Sequence, residues 1–303
     1  MEFCNCLGHD RSIKIIKSYV EKSNLSGAYM FSGPEGIGKK MVALAIAREL
    51  NCSDSLMHPD IHIIEKGLSQ IKIEDIRDIQ GQANLRPYEG KMKVFIIDNA
   101  HKLNQDAANS LLKVLEEPPK DTLIILITHK PQNIIKTVLS RCKQIKFPPM
   151  PREELENILV KDYSLEKSAA HFLSYYCEGR IGLALKLKDS TLFIEKNRIF
   201  DSFVLAQKNN EYNFSGQNKE ELHNFLNILA SWFRDIYLLK AGMPENETIH
   251  LDRKVDLARQ AARFSFKQLD DIISAISGSL LYLEKNINSK LILHNLGAQL
   301  WKA

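Results

Sequence analysis

The chain has 303 residues, 44% hydrophobic and 26% charged, with a formal net charge of +4. A chain this long exceeds one small core and suits about two or three domains, and the composition is that of an ordinary soluble protein. No apolar run reaches membrane-spanning length, and Met1-Glu2-Phe3-Cys4-Asn5-Cys6 lacks a basic segment followed by an apolar one. The expectation is therefore a cytoplasmic protein with no membrane partner. A small positive charge of mixed sign reads as a solvated surface and gives no case for nucleic-acid binding.

The first predicted elements surround a glycine-rich loop. Ala28-Tyr29-Met30-Phe31 reads as a buried strand and Lys39 to Leu50 as a helix. Between them, Gly33-Pro34-Glu35-Gly36-Ile37-Gly38-Lys39 fits the phosphate-binding loop pattern, which then requires serine or threonine. Such a loop holds phosphate with inward-pointing amides, the helix N-terminus and the lysine. This chain has Lys40 at the next position. An ammonium offers magnesium no lone pair and repels it, so the loop is expected to hold phosphate without supporting hydrolysis.

Short apolar runs at Ile61 to Glu65, Lys93 to Ile97 and Leu123 to Thr128 read as further buried strands separated by helices. That alternation predicts an α/β domain with a parallel sheet. The strand over 93–97 delivers Asp98, the type of carboxylate that P-loop proteins use to hold magnesium through water. Asn99 follows it, and an amide cannot take the proton of an attacking water. The helix before the third of these strands is well punctuated. Asn104 caps it, Asp106 favours its first turn, Ala108, Leu111, Leu112 and Leu115 form its apolar face, and Pro118-Pro119 ends it.

A helical Ile134 to Leu139 leads to Ser140-Arg141-Cys142, and Pro148, Pro149 and Pro151 mark a linker. Only helices are predicted beyond it: a short set over Glu153 to Leu187, then a longer set from about Ile194. Leu222, Phe225, Leu226, Leu229, Trp232, Phe233, Ile236 and Tyr237 recur at threes and fours, with Gly242 and Pro244 as the stop. Leu269, Ile272, Ile273, Ile276, Leu280 and Leu283 repeat the pattern, which predicts a helical bundle.

Cysteines at 4, 6, 52, 142 and 177 are odd in number and scattered, which predicts reduced thiols. Cys4 and Cys6 are too close for a zinc knuckle and face no second pair, and no histidine pair at helical spacing flanks a glutamate. No metal site is expected.

The motifs in their order resemble the clamp-loader branch of the AAA+ ATPases over nearly the whole chain. They are Gly8-His9, Ser32 to Lys39, His58-Pro59-Asp60, Arg86-Pro87-Tyr88-Glu89-Gly90-Lys91, Ile96-Ile97-Asp98-Asn99-Ala100, Asn109 to Pro119 and Leu139-Ser140-Arg141-Cys142. Trp232 to Lys240, and Asn286-Ile287-Asn288 before Leu291-Ile292-Leu293, resemble the collar of that branch's non-hydrolysing stator. The resemblance implies a P-loop AAA+ parallel-sheet domain (1–150), a small helical lid (151–192) and an all-α collar (193–303). It also implies a hetero-oligomer with the gamma/tau and delta subunits that loads the sliding clamp onto primed DNA.

In that setting Arg141 corresponds to an arginine finger acting in trans on a neighbour's ATP, where a planar guanidinium suits phosphate oxygens. Gly33, Gly36, Gly38, Lys39, Lys40 and Asp98 would form a vestigial or structural nucleotide site, holding ATP or ADP without hydrolysis. Gly182 stands where active relatives carry a phosphate-sensing arginine, Arg180 lies two residues away, and Thr128 falls near the position that senses the terminal phosphate. Relatives often carry four cysteines before the His-Pro-Asp segment; only Cys52 remains, so no zinc is expected. Two other readings compete: an ATP-hydrolysing gamma/tau-type subunit, and a DNA-binding adaptor with an inherited P-loop.

Overall fold

Five apolar segments pair as parallel strands in the computed structural model: β1 (Gly27–Ser32), β2 (Ile61–Ile64), β3 (Lys93–Ile97), β4 (Thr122–Thr128) and β5 (Lys143–Lys146), in the order β2-β3-β4-β1-β5. The structure describes residues 8–21, 26–52, 58–67, 69–205, 219–285 and 287–300. Cys4, Cys6, the segment 53–57 and Asn286, which figure in the expectations above, lie outside these.

Every residue of β1, β3 and β4 is buried, as expected of parallel strands covered on both faces. Alternate side chains supply two cores. Ala28, Met30, Phe95, Ile97, Ile124 and Leu126 pack with α3 (Ile73–Ala83), α4 (Gln105–Glu116) and α5 (Lys136–Leu139), numbered after α1 (Asp10–Glu21) and α2 (Lys39–Asn51). Tyr29, Phe31, Val94, Ile96, Leu123 and Ile125 face the other way, onto Ile16 of α1 and Val42, Ala43 and Ile46 of α2. Asn104 caps α4 as predicted: its Oδ1 accepts from Ala107 N at 2.8 Å.

The chain divides into two compact units, Met1–Leu155 with Cys177–Leu185, and Glu156–Tyr176 with Lys186–Ala303. The helices beyond the sheet are α6 (Arg152–Lys161), α7 (Lys167–Tyr176), α8 (Ile181–Lys188), α9 (Leu192–Ile199), α10 (Lys219–Lys240), α11 (Lys254–Arg263), α12 (Phe266–Glu284) and α13 (Ser289–Leu300). The apolar stripe on α10 is core: Leu222, Phe225, Leu226, Leu229, Trp232, Phe233 and Ile236 are all buried. Trp232 also needs a polar partner for its indole N–H, and Gln260 Oε1 of α11 accepts it at 3.0 Å. Asp235, fully buried, accepts from the amides of Ile249 and His250 at 2.7 and 3.0 Å and so fastens the following segment to α10.

His250 is fully buried, with Nδ1 unpartnered and the pKa pushed well below 6.5, first by burial and then by Lys196. Burial also lowers the pKa of His9 and His62, each with one ring nitrogen unpartnered. A neutral folded imidazole contributes stability that is complete above its unfolded pKa of 6.5 and is lost as pH falls toward the folded value. Burial raises the Asp235 carboxyl to about 6, which acts in the opposite sense below that pH. The expected result is a melting temperature that is level from about pH 8 to about 7 and falls from there to about 6, less steeply in His250→Gln. A melting temperature flat over that range would contradict this assignment.

Candidate functional site

The loops after β1, β3 and β4 meet at the carboxyl edge of the sheet, where parallel α/β folds place their ligands. They enclose a cleft of about 240 Å³ whose wall includes Gly36, Gly38, Lys39, Lys40, Asp98 and Asn99, with Thr128, His129 and Gly182 completing it. All of these but His129 were singled out in the sequence, and the structure brings them to one place.

Gly33 is the predicted member that does not line the cleft. Its φ is 153°, and an added Cβ would stand 2.2 Å from the Phe147 carbonyl oxygen, so any side chain would push the loop off the sheet. Lys39 is 6% exposed, and its Nζ donates to the Gly33 and Pro34 carbonyls at 2.7 and 2.6 Å. Burial lowers its pKa to about 8, against the opposing pull of Asp98 and Glu35. The ammonium thus rests on the loop's own carbonyls and stays within the electrostatic reach of Asp98. His9 fixes the loop from behind: its Nε2 donates to the Ile37 carbonyl at 2.6 Å, and its ring packs edge-on against Phe147.

Lys40 Nζ lies 2.5 Å from Glu65 Oε2, at the end of β2. Asp98 follows β3, and its Oδ1 accepts from Asn99 N at 2.8 Å. Thr128 Oγ1 accepts from Lys130 N at 3.0 Å and lies 3.2 Å from His101 Nδ1. Burial, then His129, lowers the His101 pKa to about 4, so the ring is neutral and shares one hydrogen bond with the threonine hydroxyl. That hydroxyl is therefore occupied by its neighbours.

Gly182 opens α8 against the loop. A Cβ there would stand 2.7 Å from the Gly36 carbonyl oxygen, and Leu183 N donates to that same oxygen at 2.9 Å. No arginine fits at 182 without displacing the loop. Arg180 does not line the cleft; its Nε donates to the Cys177 carbonyl at 2.9 Å.

The structure does not bring Arg141 to the cleft. It follows α5 as an exposed residue, with Nη1 donating to Thr137 O at 2.9 Å and Nη2 against Glu116 Oε1 at 2.5 Å. Its neighbour Cys142 is buried in the sheet core, and burial raises that thiol to about 12, which makes it a packing residue. Among the described residues no three His, Cys, Asp or Glu side chains come together as a metal site needs. No helix among them is long and apolar enough to cross a membrane.

His9, Glu65, His101, Glu116 and Leu183 are contributors that the sequence reading passed over. His9 and Glu116 stood in quoted motifs and Glu65 closed a predicted strand, but the contacts that all five make depend on strand register and turn geometry.

Sheet order, glycine loop and post-strand aspartate together define a P-loop α/β domain of the AAA+ type. A solved DNA polymerase III gamma subunit-related protein from Thermotoga maritima shares the fold, with a TM-score of 0.56 at 20% identity over 96% of this chain and 99% of that one. The family described as DNA polymerase III, delta subunit, matches residues 8–151, and that subunit's C-terminal family matches residues 197–300. DNA polymerase III subunit delta' of Bacillus subtilis (strain 168) is 28% identical over 94% of both chains. The tau subunit of Escherichia coli (strain K12) is 31% identical over 63% of this chain, which spans only 33% of tau. The chain belongs to the DNA polymerase III clamp-loader family.

Proposed function

We propose that this chain is a delta-prime-type stator of the clamp loader, inactive in ATP hydrolysis, whose Arg141 completes the ATP site of an adjacent gamma/tau-type subunit. The observation that carries this reading is the separation of the two chemistries. Arg141 stands on the surface outside the chain's own cleft, where a neighbouring chain can reach it. The cleft itself has lost what turnover needs. Lys40 is paired with Glu65 where a magnesium-binding hydroxyl would stand, Asn99 cannot accept a proton, and Gly182 leaves no phosphate-sensing guanidinium. In such a site Lys39 and the loop amides hold phosphate, and the bound nucleotide acts as a structural filler.

The reading extends to the division at 150 and 192 into P-loop, lid and collar domains, to cytoplasmic assembly with gamma/tau and delta subunits, and to action on the sliding clamp at primed DNA. The purified chain alone is expected to show no ATP turnover above the spontaneous rate, with or without DNA. Turnover that disappears in Lys39→Ala would instead identify a gamma/tau-type ATPase.

A further inference from the structure

Loops of this fold recruit magnesium through a hydroxyl after the lysine and a carboxylate at the neighbouring strand end, and the donor set here does not fit that ion. Lys40 brings a positive charge to the hydroxyl's position. Its surroundings make this more than a swapped side chain. Ile64 pairs with Ile97, so Glu65 and Asp98 leave the sheet side by side, and Asp98 N donates to Ile64 O at 2.9 Å. The Lys40 ammonium is seated at this carboxyl edge, 2.5 Å from Glu65. A cation of the chain's own therefore already stands at the strand edge from which Asp98 leaves the sheet.

We infer that the cleft takes a nucleoside di- or triphosphate free of magnesium, with the Lys40 ammonium supplying the countercharge that the ion brings in active relatives. The inference rests on reading the cleft as a nucleotide site, and it is independent of Arg141. Lys40 and Glu65 side chains are 34% and 50% exposed, so water screens their pairing and little holds it. A phosphate oxygen is a doubly anchored competitor, since the loop amides and Lys39 bind the same group. Lys40 can then exchange a carboxylate for a phosphate by rotating a flexible side chain. Glu35 also lines the cleft, but its side chain is 77% exposed, where solvent screens its repulsion. Lys39 and Lys40 together offer two adjacent ammonium groups, a set that favours the bare polyphosphate over its magnesium complex.

The test is titration of methylanthraniloyl-labelled ADP into the whole chain, in excess magnesium and in EDTA. The expected Kd in EDTA equals that in magnesium within about twofold, or is tighter. Lys40→Thr, with circular dichroism confirming its fold, is expected to bind about tenfold more weakly in EDTA and to regain affinity when magnesium is added. Lys39→Ala should abolish binding in both buffers. Binding by the natural chain that vanishes in EDTA, no binding in either buffer, or a Lys40→Thr variant that behaves like the natural chain would each overturn the inference. None of these outcomes bears on Arg141, which is read from the ATPase of an assembled loader.

Discussion

Arg141→Ala is expected to slow hydrolysis about 10³-fold at the single ATP site it serves in a loader rebuilt with gamma/tau and delta subunits. Clamp- and DNA-stimulated ATPase should then fall by that site's share. The size follows from the chemistry. A finger stabilises charge that builds on the transferring phosphoryl group, and a guanidinium presents paired donors that an ammonium lacks, so Arg141→Lys should recover little. The fold should be indifferent to the change. The Arg141–Glu116 pair is partly exposed on both sides, and the remaining bonds, to the Thr137 carbonyl and the Ser140 hydroxyl, are local. Thermal stability should therefore move by no more than about 0.5 kcal/mol. A single-turnover measurement on the assembled loader, alongside a melt of the isolated variant, separates lost catalysis from lost folding.

The second large effect concerns stability. Asp60→Ala should destabilise the sheet unit by about 3 kcal/mol, because it removes three charge-assisted hydrogen bonds at once. Asp60 is fully buried. Its Oδ1 accepts from Tyr88 N at 2.8 Å, and its Oδ2 accepts from Glu89 N and Gly90 N at 2.9 and 2.8 Å. Burial pushes the carboxyl up, but the amides of Gly90, Tyr88 and Glu89 together outweigh it and hold the pKa below 3.8. The contribution of this carboxylate is thus present above that value and is lost as pH falls through the folded pKa. Urea unfolding at neutral pH should show a lower midpoint at unchanged slope. An Asp60→Ala midpoint equal to that of the natural chain would show that the 88–90 amides find other acceptors.

These two residues illustrate what could be read without coordinates. The His-Pro-Asp and Arg-Pro-Tyr-Glu-Gly-Lys segments were visible as separate motifs, but their joint purpose, a carboxylate cradled by three successive amides, depends on two loops meeting where the adjacent strands β2 and β3 begin. Central strands were legible because burial on both faces leaves continuous apolar runs, as in Lys93–Ile97 and Thr122–Thr128. β5, Lys-Gln-Ile-Lys, was not recognised. Only Ile145 is buried on this edge strand, so no periodicity marks it. The strand expected over 61–65 ends at Ile64, and Glu65 turns out to Lys40.

The cleft was legible for a different reason: a phosphate loop uses backbone geometry and glycines that leave a fixed spacing in the chain. The brace from His9, the Leu183 amide on the Gly36 carbonyl and the Glu116 partner of Arg141 leave no such spacing. Each joins residues distant in sequence through tertiary contact alone. Gly182 shows the limit most plainly. The absent arginine was visible in the sequence, whereas the close approach that excludes one needed the loop's position.

The most direct measurement compares two variants of the same reconstituted loader, Lys39→Ala and Arg141→Ala, by clamp- and DNA-stimulated ATPase. A chain whose own cleft is silent and whose guanidinium works across a subunit boundary predicts near-normal turnover for Lys39→Ala and a deep loss for Arg141→Ala. The reverse pattern, with Lys39→Ala inactive and Arg141→Ala unimpaired, would contradict it.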